Sequence, residues 1–328
     1  MKKVVRMLGL CALVALAFTS CKKKETTNST LTFKASITQP KSEDRTYISG
    51  TNMIAWTNGD AIKVFDVDAT NYDFTVSTIG DQTLYQDEEA TFVVNGNEKV
   101  EFLKNLPTPN SYSAFYPQAQ VNGNNVTMTI PATQNRLAGS YVEGSFATNT
   151  YPMFGVNDTL PGYDKKHFSF HSHAGVLEFA LGAPVGRYVK VKSITVTAPE
   201  GDELVGKITY PFNYPFTVAY DPNYTGYTTS ETTNEVELLC GDGVVLPNDG
   251  SATQYFHIAL LRDALGGGFH VVVNGDKDDP ADSTNTLENV VLFEADVTSE
   301  MNTIQAEFVT QLPRKFIPVP GQGGEPAK

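Results

Sequence analysis

Along residues 31–38 the apolar side chains Leu31, Phe33, Ala35 and Ile37 alternate strictly with Thr32, Lys34, Ser36 and Thr38. This is the two-residue period of a strand with one face in a core and the other in water. The rhythm returns in short runs along the whole chain, and no stretch sustains a helical period with caps; residues 260–265 would make one helical turn at most. Further strands are expected at 61–67, 90–94, 100–103, 111–116 and 126–130, then at 177–181, 193–198, 235–239, 255–260, 270–273, 290–297 and 303–309. Each is bounded by Gly, Asn or Pro clusters, with a hairpin-type turn at Asn122-Gly123-Asn124-Asn125 and punctuation at Gly266-Gly267-Gly268 and Asn274-Gly275-Asp276. That spacing predicts an all-β sandwich architecture.

At 328 residues the chain is long enough for two domains, each with its own core. The boundary is placed in 153–166, where Gly155, Asn157, Asp158, Pro161 and Gly162 make the sequence polar and turn-rich. The expected division is 31–158 for an N-terminal β-sandwich, 159–310 for a C-terminal one, and 311–328 for a terminal arm. In that arm Leu312, Phe316, Ile317 and Val319 are interrupted by Pro313, Pro318 and Pro320. Proline cannot donate to a ladder, so the arm can pair only at an edge or lie extended.

The first 21 residues read as an export signal: Lys2, Lys3 and Arg6, an apolar run from Met7 to Phe18 too short to span a bilayer, then Thr19-Ser20-Cys21. The last three resemble a bacterial lipobox, which implies acylation of Cys21, with residues 22–30 as a polar tether. Cys240 then remains alone and no intrachain disulfide is expected. It is read as a buried structural thiol. The net charge of -13, from 24 Lys+Arg against 37 Asp+Glu, excludes electrostatic binding to nucleic acid.

Taken in order, the lipobox, Phe33-Lys34-Ala35-Ser36-Ile37, the run from Trp56 through Asn58-Gly59-Asp60 to Phe65, Ala90-Thr91-Phe92, Tyr112-Ser113-Ala114-Phe115-Tyr116-Pro117, Ile130-Pro131-Ala132-Thr133-Gln134, Pro152-Met153 and 168–181 resemble the fimbrillin family of Bacteroidales bacteria. The resemblance implies two tandem transthyretin-like β-sandwich domains, export to the outer membrane as a lipoprotein, and polymerisation into a cell-surface fimbria that supports adhesion. It also implies a mechanism, in which a trypsin-like or Arg-specific protease removes the first strand and a C-terminal strand of another fimbrial subunit fills the groove. The matching positions are Arg45 and Thr46 for the cut, in a polar loop a protease could reach. The strand lost carries Leu31, Phe33, Ala35 and Ile37, and the donor candidates are Ile304, Ala306, Phe308, Leu312, Phe316, Ile317 and Val319. Burying four apolar side chains in such a groove is worth about 6 to 10 kcal/mol before ordering costs.

Other readings of the residues stand beside this one. His167, His171 and His173 would share one face of a strand, a spacing that could hold zinc or copper, but no fourth ligand is near and a solvated or interface face is expected, with Phe168 and Phe170 opposite. Asp276-Lys277-Asp278-Asp279 through Asp282 has calcium-loop spacing without the required glycine and distal glutamate, so a solvated hairpin tip is expected. With no phosphate loop, nucleophile elbow or catalytic carboxylate pair, neither an enzyme nor a cofactor is expected. The rival functions are a surface glycan-binding lipoprotein, with Trp56 and the many Tyr and Phe side chains as stacking platforms, and a tip or anchor subunit of the fimbria.

Overall fold

The computed structural model describes residues 30–37, 41–42, 56, 61–66, 71–79, 89–95, 112–117, 120–122, 125–136, 146, 149–157, 167–211, 225–250, 253–282, 284–298, 304, 308–312 and 315–316. Cys21, Arg45, Thr46, Ala306, Ile317 and Val319, and the strand expected at 100–103, lie outside them. The described residues are all-β, with no helix. Residues 262–267, near the single helical turn considered above, instead make successive turns, with Leu261 and Leu265 carbonyls accepting from Ala264 and Gly268.

The strands are β1 (Thr30–Ile37), β2 (Lys41–Ser42), β3 (Ala61–Asp66), β4 (Asn71–Ile79), β5 (Glu89–Asn95), β6 (Tyr112–Tyr116), β7 (Gln120–Asn122), β8 (Asn125–Ile130), β9 (Thr133–Asn135), β10 (Met153–Asn157), β11 (His167–His171), β12 (Gly175–Gly182), β13 (Val189–Thr197), β14 (Val205–Pro211), β15 (Thr228–Thr233), β16 (Glu235–Val245), β17 (Gln254–Leu260), β18 (Phe269–Asp278), β19 (Thr286–Val297), β20 (Phe308–Gln311) and β21 (Lys315–Phe316). Alternating apolar residues place most of them: β8 and β13 bury every second side chain or nearly so, as half-buried strands must.

Four sheets result. The first closes on itself in the order β1-β11-β10-β6-β3-β4-β5, which leaves it without an open edge. A second runs β17-β12-β20-β2, with β21 also paired to β12, and a third runs β19-β18-β13-β16-β9. The fourth runs β15-β14-β8-β7. Hydrogen-bond ladders cross residue 158 at several points: β11 pairs with β1 and β10, β8 with β14, and β9 with β16. The stretch 153–166, expected to be a turn-rich break, instead begins with β10, whose Met153, Phe154 and Gly155 are buried. Strand 303–309 is also shorter than expected: Ile304 is buried outside a strand and β20 starts at Phe308.

Along the margin of the third sheet, β19 is twelve residues long and exposes Glu288, Glu294 and Asp296. Its half-buried Phe293, Ala295 and Val297 pack on the core.

Candidate functional site

The first strand has neighbours on both sides. β1 is antiparallel to β5, with Phe33 opposite Phe92, and parallel to β11, with Ala35 opposite Phe168 and Ile37 opposite Phe170. Ala35, Phe168 and Phe170 are fully buried and Ile37 is nearly so. Ser36 Oγ and His167 Nε2, 3.3 Å apart, add a side-chain bond across the parallel ladder. Beneath this seam Trp56 is buried edge-on to both Phe170 and Tyr116, with centroids 5.1 and 5.3 Å away. One strand further, Gly155 lies opposite both Phe170 and Ala114, and a Cβ there would come within 3.0 Å of the Phe170 ring and of the Ala114 Cβ. The glycine is there because the aromatic ring occupies the space a side chain would need. A closed ring of strands is thus sealed at β1 by two ladders and an aromatic cluster.

The C-terminal strands are seated in this chain's own second sheet. β20 runs parallel to β12, with Val309 opposite Val176 and Gln311 opposite Glu178, and the Leu312 N–H donates to the Glu178 carbonyl at 3.0 Å. β21 adds two pairs, Lys315 with Leu181 and Phe316 with Gly182. Ile304 is fully buried, its carbonyl accepting from Asp263 N–H at 2.7 Å and its N–H donating to the Ala264 carbonyl at 3.1 Å. The outer edge of β20 carries β2, with Lys41 opposite Phe308 and Ser42 opposite Val309. Beside Leu312 an apolar cavity of about 340 Å³ opens between Phe179, Leu181, Val271, Phe293 and Val297.

No family model matches the chain, and no curated protein matches it. Among solved structures the fold is similar to a proposed cell adhesion protein of Bacteroides uniformis, at 17% identity and a TM-score of 0.36 over 84% of this chain and 90% of that one. It is similar to a proposed cell adhesion protein of Bacteroides fragilis at 8% identity and a TM-score of 0.41, over 85% and 91%. It is also similar to a fimbrial protein of Bacteroides ovatus at 9% identity and a TM-score of 0.35, covering 88% of this chain but only half of that one. At such identities the assignment of function is left to the residues themselves.

Of the three histidines read as a solvated or interface face, two lie inside the protein. His167, at the start of β11, and His173, two residues past its end, are both buried, while His171 is half-buried. His167 faces Ser36, while His173 Nδ1 lies 2.9 Å from the Tyr210 hydroxyl and stacks near Tyr227. The His171 ring lies against Phe154. Among the described residues no group of three His, Cys, Asp or Glu side chains could hold a metal ion.

The acidic run begins inside β18, where Asp276 is buried and not solvated as expected, and only from Asp279 on does it form the hairpin tip before β19. Its carboxylates bond their own turn and its neighbours: Asp276 pairs with Lys192 at 2.7 Å, Asp278 accepts from Tyr188 N–H, and Asp282 accepts from the Thr284 N–H and hydroxyl. Cys240 is buried, as read from its apolar context. Two features had no signal in the sequence. Glu178 and His257 form a buried pair at 2.8 Å across β12 and β17, and β2 engages β20 by backbone pairing, which any residue type supplies.

Proposed function

We propose that this chain is the exported precursor of a cell-surface fimbrial subunit of fimbrillin type, built as two tandem transthyretin-like β-sandwich units, and that it polymerises by strand exchange. On this reading Cys21 carries the lipid that holds the precursor at the outer membrane, and an Arg-specific, trypsin-like protease cuts between Arg45 and Thr46. The segment bearing Leu31, Phe33, Ala35 and Ile37 then leaves. A C-terminal segment of another subunit, from the stretch holding Ile304, Ala306, Phe308, Leu312, Phe316, Ile317 and Val319, takes its place. The resulting fibre serves adhesion, and the subunit has no catalytic role.

The observation that carries this reading is the double pairing of β1. The strand upstream of the polar stretch that holds Arg45 is laddered to β5 on one side and β11 on the other. Its loss would bare two facing rows of N–H and C=O groups and the apolar slot of Ala35 and Ile37. Such a slot is satisfied by another strand and by little else. The sugar-binding alternative loses its main platform, because Trp56 is buried beneath the seam.

The test is limited trypsin treatment of the protein lacking residues 1–21. Ladders on a non-boiled gel are expected from the parent and not from Arg45→Ala. Equal ladders from the variant would remove Arg45 from the mechanism, and a parent that stays monomeric after losing β1 would end the reading.

A further inference from the structure

Two adjacent ladders of the third sheet lose register at the same level. Between β13 and β18, the pairs Val191 with Gly275 and Ser193 with Asn274 leave Lys192 as an extra residue on β13. Between β18 and β19, the pairs Gly275 with Val290 and Lys277 with Leu287 set Asp276 against both Glu288 and Asn289. Asn289 takes a φ of 52°, in the left-handed region that asparagine enters more readily than most side chains. The strands are also drawn close here, since a Cβ on Gly275 would lie 1.9 Å from the Lys190 carbonyl oxygen. Bulges of this kind turn a side chain out of the ladder and aim it elsewhere.

What they aim is a triad from three strands. Lys192 Nζ donates to Asn289 Oδ1 at 2.8 Å and lies 2.7 Å from Asp276 Oδ1. The same Asp276 oxygen accepts from the Asn289 N–H at 2.9 Å. Asp276 is sheltered, its side chain 9% exposed against 31% for Lys192, while Asn289 faces solvent. An amine is thus held one bond from a carboxamide carbon, with a buried carboxylate touching both partners. Such positioning removes most of the entropic barrier to a reaction between them.

We propose that Lys192 and Asn289 become joined by an amide bond that the folded chain forms by itself, with Asp276 as proton carrier. The Asp276 carboxylate takes a proton from the Lys192 ammonium, as a general base in contact with it can. The freed Nζ electron pair then forms a new bond to Asn289 Cγ. As the bond from Cγ to Nδ2 breaks, its electron pair stays on Nδ2, and the second Nζ proton reaches that nitrogen through the carboxyl group. Ammonia leaves into solvent with the first proton, as ammonium, and Asp276 is a carboxylate again. Nothing is oxidised or reduced, and no further reactant is consumed.

The product ties the marginal strand β19 to the interior strand β13 over the top of β18 and closes a loop between positions 97 apart. A covalent link of that span restricts the unfolded chain and keeps the sheet's rim from peeling. The reaction uses no part of the strand-exchange reading and would stand if that reading failed.

The experiment measures the intact mass of the purified protein lacking residues 1–21 and maps its proteolytic peptides. The parent is expected to fall short of the mass of its sequence by one ammonia and to yield a branched peptide in which Lys192, uncut, is joined to Asn289. Lys192→Arg, Asn289→Ala and Asp276→Asn are each expected to keep the full mass and yield no branch. Lys192→Arg retains the charge facing Asp276, so its loss of the branch reports chemistry and not misfolding. A parent of full mass after prolonged incubation would overturn the inference, as would an ammonia loss confined to Asn289 as a cyclic imide with no branch. A branched peptide at parental yield from folded Asp276→Asn would overturn the role given to Asp276.

Discussion

Phe170 meets Trp56 edge to face, ring centroids 5.1 Å apart, and the same Phe170 stands in register with Ile37 of β1. The single tryptophan is therefore one side chain removed from β1. Removing residues 22–45 should move Trp56 emission to longer wavelength as water reaches the cluster. Ile37→Ala should lower unfolding free energy by about 2 to 4 kcal/mol in denaturant titrations followed at Trp56. An emission maximum that does not move, in protein proven by mass to have lost the segment, would contradict this placement.

Gly155→Ala should destabilise the protein by about 1 to 3 kcal/mol, because the new methyl group must displace the Phe170 ring or Ala114. Calorimetry reads the loss as a lower Tm. A Tm equal to that of the parent would show that Phe170 yields freely.

Burial pushes the Cys240 thiol up to about 12, against a smaller opposing pull from Arg136. At pH 8 the native protein should react with a thiol reagent roughly a thousandfold more slowly than a free cysteine, and at the free rate once unfolded. The raised value also fixes a sign. The thiol contributes fully to stability below the free-cysteine range near 8.5, and that contribution is lost as pH climbs from there towards 12, since the unfolded thiol ionises first. Cys240→Ala should flatten this alkaline decline, and an unchanged slope would assign it elsewhere.

His270 titrates above its ordinary value because it bonds Asp296 at 2.8 Å, with Glu294 at 3.2 Å adding to the effect. The bond favours the folded state at pH below the usual histidine range near 6.5 and fades as pH rises through the raised value. The group lies at the surface, so the effect on stability is small and weakens with salt. An NMR titration should place the His270 midpoint above 6.5 and show it falling in Asp296→Asn; a midpoint that ignores the substitution would exclude Asp296 as the cause.

Elements whose side chains alternate were legible in advance. β1, β3, β5, β6, β8, β12 and β17 lie within a residue or two of where the apolar period put them. β18 extends past its predicted core on the polar run 274–278, which periodicity does not register, whereas β13 begins four residues earlier on the alternating, buried Val189 and Val191. β10 was hidden because Gly155 and the polar residues after it look like a turn, and only the Phe170 ring across the ladder explains why a buried strand holds a glycine. β15, Thr-Thr-Ser-Glu-Thr-Thr, has no apolar residue at all and is held by its pairing with β14. The fate of the histidines depended on Ser36 and Tyr210, partners far away in sequence that no local pattern reveals. The first strand and its inward Ala35 and Ile37 were readable from its own residues; its second neighbour, β11, and the pairing of β2 with β20 were not.

Long, unpartnered strands at the rim of a sheet adhere to one another without needing a signal. On β19 the row Glu288, Glu294 and Asp296 sets like charge against like charge whenever two molecules of this acidic protein meet rim to rim. Edge-to-edge association of copies is thereby discouraged along that rim, which confines contact between molecules to the rest of the surface.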